Sequence, residues 1–230
     1  MSTRVGIVLF PGSNCELDVA EAVRSLGGDA EILWHDEPSL RGVDVVVLPG
    51  GFAHGDYLRP GAIARFSPVM EKVVAFAEAG GPVVGICNGF QVLTEAGMLP
   101  GALQKNAGLK FVCQMAQLRV ESVDSVLTAG LTVGDIVKMP INHFEGNYTC
   151  SEQTLTRLRS NDQVILRYVG NPNGSLDDIA GICNEGRNVV GLMPHPERAS
   201  HELLGSLDGV PLLRSLLAPA TPGCADPLSG

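Results

Sequence analysis

The five residues Gly85-Ile86-Cys87-Asn88-Gly89 place a cysteine between two glycines at the end of an apolar run. A G-x-nucleophile-x-G pattern is typical of a nucleophile elbow, a sharp strand-to-helix turn that holds a reactive side chain toward solvent. The glycines keep neighbouring side chains out of the turn, and the residue between them can adopt an unusual backbone φ. The pattern predicts a nucleophilic thiol at Cys87, although a core cysteine beside ordinary turn glycines fits these five residues equally well.

The segment NGFQVLTEAG, which follows the cysteine, has the pattern of a helix. The free N–H groups and the dipole at its N-terminus would face the sulfur and favour the thiolate, which is the nucleophilic form of cysteine. A thiol nucleophile also needs a group that transfers protons, and that group must come from elsewhere in the chain.

The string Met193-Pro194-His195-Pro196-Glu197 supplies a candidate proton-transfer pair. Pro196 biases His195 toward an extended conformation, in which residues i and i+2 point to the same side. Glu197 would then accept a hydrogen bond from one ring nitrogen and support the imidazolium, leaving the other nitrogen for Cys87. A histidine between prolines is by itself more often an ordinary loop residue.

The string Leu48-Pro49-Gly50-Gly51 follows another apolar run and is a candidate oxyanion-binding turn. Two glycines let a backbone N–H face a developing negative charge with no Cβ in the way, although a simple strand-ending turn is commoner. All three candidate motifs follow predicted strands, and α/β sheets build their sites at the carboxyl ends of strands. This coincidence favours a catalytic site.

The pattern along the chain predicts an α/β fold with a doubly wound, mainly parallel, flavodoxin-like sheet. Apolar runs at VGIVLF, AEILW, VDVVVLPGG and PVVGI alternate with helical patterns at ELDVAEAVRSLGG, capped by Ser13 or Asn14, and FSPVMEKVVAFAEAGG. From about residue 109, the partly alternating strings LKFVCQMAQLRV, TLTRL and VILRYVG predict antiparallel strands at one edge. We expect one domain over residues 1–230, with a final helical segment at 201–217 and a loose tail at about 218–230.

Composition and charge exclude several classes of function. The 230 residues carry a formal net charge of −9, which argues against nucleic-acid binding, and no apolar run is long enough to cross a membrane. The first apolar run is too short for a secretory signal, so a cytoplasmic location is expected. None of the six cysteines forms a C-x-x-C pair, so most are expected to be reduced core residues, with no zinc knuckle.

The strings GICNGFQ, PHPER and LPGG together resemble the class I (triad) glutamine amidotransferases. The longer strings FPGSNCELD, LPGGFAHGDYLRPGAIARF, HFEGNY and NPNGSLDDIAGICNEGRNVVGLMPHPERA resemble the glutaminase subunits that serve purine biosynthesis. The resemblance extends over nearly the whole chain.

This resemblance implies that Cys87 attacks the side-chain amide of glutamine, giving a γ-glutamyl thioester and ammonia. It implies that His195 acts as acid and base, that Glu197 orients it, and that water releases glutamate. It further implies an oxyanion hole and a glutamine-binding surface, formed by Gly51, Asn88, Gln91, His143, Phe144 and Glu145.

The resemblance also implies partners. Ammonia would pass to a large ATP-dependent synthetase subunit, accompanied by a small accessory subunit, that converts formylglycinamide ribonucleotide to formylglycinamidine ribonucleotide. ATP and magnesium would belong to that partner, with no cofactor or metal on this chain, which has no G-x-x-x-x-G-K-[ST] motif for ATP. Ala53, His54, Asn142 and Phe144 depart from the family pattern in the substrate loops.

Two other functions fit the sequence. A free-standing cysteine amidohydrolase would act without partners and need not prefer glutamine. A flavodoxin-like binding module would use the glycine loops to hold phosphate and would show flavin absorbance.

Overall fold

The structure is a computed structural model that describes residues 2–218, so the expected loose tail lies almost wholly outside the described residues. The strands of this region are β1 Arg4–Leu9, β2 Asp29–Trp34, β3 Val45–Leu48, β4 Val83–Ile86, β5 Ala102–Gln104, β6 Val112–Val120, β7 Ile136–His143, β8 Asn147–Thr149, β9 Val164–Val169, β10 Ile179–Cys183 and β11 Val189–Leu192. The α-helices are α1 Glu16–Ser25, α2 Pro68–Glu78, α3 Asn88–Glu95, α4 Glu152–Ser160 and α5 Val210–Leu217.

Nine of these strands form one sheet in the order β2-β1-β3-β4-β11-β10-β9-β6-β7. The first five strands in this order are parallel to one another, and β3, β4 and β11 are buried along their whole length. Continuous burial explains why these segments read as unbroken apolar runs in the sequence. The fold class predicted from the sequence, a mainly parallel doubly wound sheet, is confirmed.

Four antiparallel strands, β10, β9, β6 and β7, extend this sheet at one edge, as the alternating strings predicted. One of the predicted strands is wrong, because TLTRL lies inside helix α4. Ser151 caps this helix by accepting a hydrogen bond from the backbone N–H of Thr154, and its buried residues Leu155 and Leu158 are three apart. Five residues are too few to separate a period of 2 from a period of 3.6.

The expected cap of helix α1 also needs correction. The residue at the N-cap position is Cys15, and its side chain makes no capping hydrogen bond. The hydroxyl of Ser13 instead accepts a hydrogen bond from the backbone N–H of Phe10 at 3.1 Å, which closes the turn after β1. None of the helices in residues 2–218 has the length and apolar character that a bilayer crossing requires.

The two glycines around Cys87 allow α3 to lie directly against the neighbouring strands. A Cβ built on Gly85 would come within 2.6 Å of the backbone of Gly89, and a Cβ on Gly89 would lie 1.9 Å from the carbonyl oxygen of Leu48. Both contacts are with backbone, which cannot move aside as a side chain can. The start of α3 is therefore held in close contact with β3 and β4.

We expect Gly89→Ala to lower the stability by about 1–3 kcal/mol, because the added methyl pushes α3 away from β3. Thermal unfolding measures the loss of stability. Gly108→Ala is the matched control, since a Cβ there has no atom within 4 Å. Equal melting temperatures for the two variants would contradict the close packing described for Gly89.

Candidate active site

Cys87 occupies the sharp turn between β4 and α3, and its backbone is strained. Its φ of 51° and ψ of −104° lie in a region that residues with a side chain rarely adopt. The backbone N–H of Cys87 donates to the carbonyl of Leu192 at 2.8 Å, and its own carbonyl accepts from Phe90 at 3.0 Å. These bonds hold the turn from both sides, and the unusual φ expected of a nucleophile elbow is confirmed.

His195 follows β11 and lies in an extended conformation, with φ −106° and ψ 91°. Its backbone N–H donates to the carbonyl of Pro140 at 2.9 Å, and its ring is only 1% exposed. Its Nδ1 lies 2.6 Å from Oε1 of Glu197, while Nε2 has no hydrogen-bond partner within residues 2–218. One ring nitrogen is thus held by a buried carboxylate, and the other is left without a partner.

The prediction that an extended backbone brings Glu197 beside His195 is wrong. Residues Pro196–Ala199 form a 3-10 turn, so the two side chains do not share the face of an extended strand. The tight turn after Pro196 brings the carboxylate back to the ring. Both side chains are buried, which strengthens their hydrogen bond by excluding water.

Cys87 and His195 line the same pocket at the carboxyl ends of the parallel strands. The predicted site residues that line this pocket with them are Gly51, Gln91, His143, Phe144 and Glu145. Asn88 and Glu197 are 1% exposed and are not part of that lining. Residues predicted from four separate strings of the sequence are therefore brought to one place by the fold.

The two histidines of the site are placed in opposite charge environments. Burial lowers the pKa of His195, but the charges of Glu197 and Cys87 outweigh burial and leave that pKa well above its ordinary value. Burial and the charge of His195 lower the pKa of His143 to about 4, so its ring is neutral near pH 7. His143 Nδ1 lies 3.1 Å from Oδ1 of Asn106, which positions the ring. His195 is the histidine suited to carry a proton.

Gly51 lines the pocket, and Asn88 directly follows Cys87 in the chain. Gly51 has a φ of +145°, and a Cβ there would lie 2.7 Å from the backbone nitrogen of Asn14. Asn88 is the first residue of α3, where backbone N–H groups have no acceptor within the helix. Such N–H groups can stabilise an oxyanion formed next to Cys87.

A network of side-chain amides joins the elbow to two loops of the pocket, one containing Ala53 and the other Glu145. Asn88 Oδ1 accepts from the backbone N–H of Ala53 at 3.0 Å, and its Nδ2 donates to Oε1 of Gln91 at 2.8 Å. Gln91 Nε2 in turn donates to the backbone carbonyl of Glu145 at 2.5 Å. Gln91 therefore positions the 143–145 segment through its backbone.

The four departures from the family pattern fit locally. Ala53 is buried, and Nε2 of His54 lies 3.2 Å from the Ser67 hydroxyl. Asn142 presents its carbonyl 3.8 Å from Sγ of Cys87, and Lys105 Nζ lies 5.9 Å from the ring centre of Phe144. None of these contacts disturbs the hydrogen bond between His195 and Glu197.

Five residues of the pocket lining are not among the sites predicted from the sequence: Asn14, Cys15, Phe52, Asp56 and Asn142. Cys15 and Asp56 are the two of these that carry an ionisable side chain. Cys15 is 2% exposed, and Nη2 of Arg198 donates to its Sγ at 3.2 Å. Both residues lie in strings that resemble the family, FPGSNCELD and GGFAHGDY, but local patterning does not distinguish them from packing or turn residues.

Within residues 2–218, Cys15 also forms, with His195 and Glu197, a group of potential metal ligands. One ligand atom from each lies within 4.8 Å of the others. The guanidinium of Arg198 already contacts the sulfur, and Glu197 already binds Nδ1 of His195. A cation would have to displace both, so this donor set does not fit a resident metal ion.

Comparison with known proteins agrees with this geometry. Residues 2–208 match the CobB/CobQ-like glutamine amidotransferase domain. Subunit PurQ of phosphoribosylformylglycinamidine synthase from Rubrobacter xylanophilus is 58% identical over 217 residues, covering 94% of this chain and 99% of that protein. The same subunit from Alkaliphilus metalliredigens is 54% identical over 215 residues, covering 93% and 95%.

Among solved structures, PurLQS from Thermotoga maritima contains a chain with 41% identity and a TM-score of 0.88, covering 94% of this chain and 98% of that one. The fold and these similarities define a class I glutamine amidotransferase. Within that class, the chain belongs to the family of PurQ subunits of phosphoribosylformylglycinamidine synthase.

Proposed function

We propose that this chain hydrolyses L-glutamine to glutamate and ammonia, and that it delivers the ammonia to a large ATP-dependent synthetase subunit. That partner uses the ammonia to convert formylglycinamide ribonucleotide to formylglycinamidine ribonucleotide in purine biosynthesis. The observation that carries the proposal is the strained Cys87 in the same pocket as His195, whose Nδ1 is held by Glu197 at 2.6 Å.

In the first half of the reaction, the Cys87 thiolate attacks the side-chain carboxamide carbon of glutamine. The new C–S bond pushes electrons onto the oxygen, and the backbone N–H groups of Gly51 and Asn88 stabilise that negative charge. His195 then gives its proton to the amide nitrogen as the C–N bond breaks, so ammonia leaves and a γ-glutamyl thioester remains on the sulfur.

In the second half, His195 takes a proton from a water molecule, and the resulting hydroxide attacks the thioester carbon. The C–S bond breaks, glutamate departs, and the sulfur and imidazole return to their starting state. The raised pKa of His195 keeps the imidazolium available for the first half. Gln91 and the backbone of residues 143–145 hold the substrate beside the sulfur.

The proposed partners are the large synthetase subunit and a small accessory subunit, in keeping with the PurLQS structure. Apolar side chains in the loop next to the pocket support a partner surface, since Phe52, Tyr57 and Leu58 are 49%, 72% and 89% exposed. ATP and magnesium belong to the synthetase in this proposal. A cytoplasmic location agrees with the need for a reduced thiol at Cys87.

Reconstitution tests the proposal directly. In a mixture of synthetase, accessory subunit, ATP, magnesium and formylglycinamide ribonucleotide, amidine formation from glutamine should require this chain. Amidine formation from ammonium chloride should not require it. Glutamine-dependent synthesis that proceeds equally well without the chain would refute the proposal.

The same assay separates the two alternatives. A free-standing amidohydrolase would hydrolyse other amides besides glutamine, and adding the synthetase would not change its rate. A flavodoxin-like module would show flavin absorbance and no hydrolysis.

A further inference from the structure

We infer that Asp56 binds the α-ammonium group of the glutamine substrate and so selects an α-amino acid over other amides. This inference rests on the proposed function, and it adds a specificity-determining residue to the same pocket. Asp56 lines the pocket together with Cys87 and His195. It forms no ion pair with any cation in residues 2–218.

The position of Asp56 is fixed by the residue that follows the nucleophile. Asn88 Nδ2 donates to Oδ1 of Asp56 at 3.2 Å, across 32 residues of chain. The same Asn88 side chain holds Ala53 and Gln91. The carboxylate is therefore tied to the elbow itself, and its distance from Cys87 is set by one rigid amide network.

Asp56 lies in a run of left-handed backbone. Its φ is +53°, and it follows His54 at +53° and Gly55 at +71°. Aspartate adopts this region more readily than most residues that carry a side chain. This turn and the hydrogen bond from Asn88 place Asp56 in the lining of the pocket that contains the thiol.

The charge around Asp56 leaves a place for a cation. Burial, and then the charge of Glu145, raise the pKa of Asp56 to about 6, while the hydrogen bond from Asn88 acts in the opposite direction. Burial also raises the pKa of Glu145, which lines the same pocket, and the charge of Lys105 offsets part of that effect. Two carboxylates so placed repel an α-carboxylate and attract an ammonium group.

The part of the pocket around His195 and Cys87 gives independent evidence of a ligand site. His195 is 1% exposed, and its Nε2 has no hydrogen-bond partner within residues 2–218. A buried, unpartnered nitrogen beside Cys87 suits the reacting carboxamide. The pocket thus offers a reactive side for the amide and an acidic side for the ammonium, which are the two ends of glutamine.

Two substrates and one conservative variant test the inference in the reconstituted complex. Glutaramate is glutamine without its α-amino group, so it cannot use Asp56. We expect Asp56→Asn to lower kcat/KM for glutamine by about 30- to 100-fold, mainly through KM, which is the effect of losing one charge-assisted hydrogen bond. For glutaramate, kcat/KM should change by less than about threefold. Asp36→Asn, at an exposed position, is the matched control.

A wild-type measurement complements the variant. Asp56 binds the ammonium in its ionised form, so KM for glutamine should rise as the pH falls below about 6, where Asp56 in the empty site takes up a proton. This rise should be absent for glutaramate and in Asp56→Asn. Its persistence in Asp56→Asn would assign the titration to another pocket group, such as Glu145, and overturn the inference.

Equal losses for glutamine and glutaramate in Asp56→Asn would also overturn it, because they would indicate a structural role. An unchanged KM for glutamine in Asp56→Asn would also overturn the inference. Failure of the proposed function is distinguishable from these outcomes, since the wild-type complex would then not hydrolyse glutamine at all.

Discussion

Replacing Cys87 with alanine should lower glutamine hydrolysis by roughly 10⁴-fold or more, because no covalent intermediate can then form. Ammonia release from glutamine measures the loss. The fold should persist, because the alanine removes one sulfur atom and leaves the hydrogen bonds of the turn in place. The strained φ of 51° also remains, and alanine relieves none of it.

The decisive control compares glutamine with ammonia as the nitrogen source. In the reconstituted complex, Cys87→Ala should lose glutamine-dependent amidine formation and keep ammonia-dependent formation. Cys113→Ser is the matched variant, because Cys113 is an exposed thiol on β6. Hydrolysis of glutamine by Cys87→Ala at the wild-type rate would mean that the nucleophile lies elsewhere.

Replacing His195 with asparagine should lower kcat for glutamine by about 10³- to 10⁴-fold, because proton transfer to the leaving nitrogen is lost. KM should change less than kcat, since the substrate is held by other groups. Single-turnover measurements that separate thioester formation from its hydrolysis should show both steps slowed. A variant that retained most of its kcat would exclude His195 as the acid and base.

Glu197→Gln should cost less than His195→Asn, because orientation of the ring is easier to replace than its proton. The charge of Glu197 raises the pKa of His195, so removing that charge lowers this pKa. The limb of the kcat/KM profile that reports loss of the His195 proton should therefore move to lower pH. A limb at the wild-type pH, or a loss larger than that of His195→Asn, would contradict the orienting role.

Local patterns in the sequence predicted those parts of the site that depend on neighbouring residues. The elbow at Cys87 follows from two glycines, and the extended backbone of His195 follows from Pro196. The parallel strands follow from continuous apolar runs that are buried on both faces. These features are set within about ten residues of chain, so one sequence is enough to predict them.

The parts that the sequence did not predict depend on distant contacts or on small differences in period. The string TLTRL, inside helix α4, reads as a strand because Leu155 and Leu158 fall in a stretch too short to define its period. Cys15 and Asp56 reach the pocket through Arg198 and Asn88, which are 183 and 32 residues away. No local pattern contains such a pairing, so only the fold reveals it.

The central claim is that Cys87 carries the glutamyl group during turnover. The most direct measurement is peptide mass spectrometry of His195→Asn, quenched in acid after mixing with L-glutamine. We predict one added glutamyl group on the peptide that contains Cys87, and none in the Cys87→Ala, His195→Asn double variant. A glutamyl group on Cys15, the other thiol of the pocket, with Cys87 unmodified, would contradict the account.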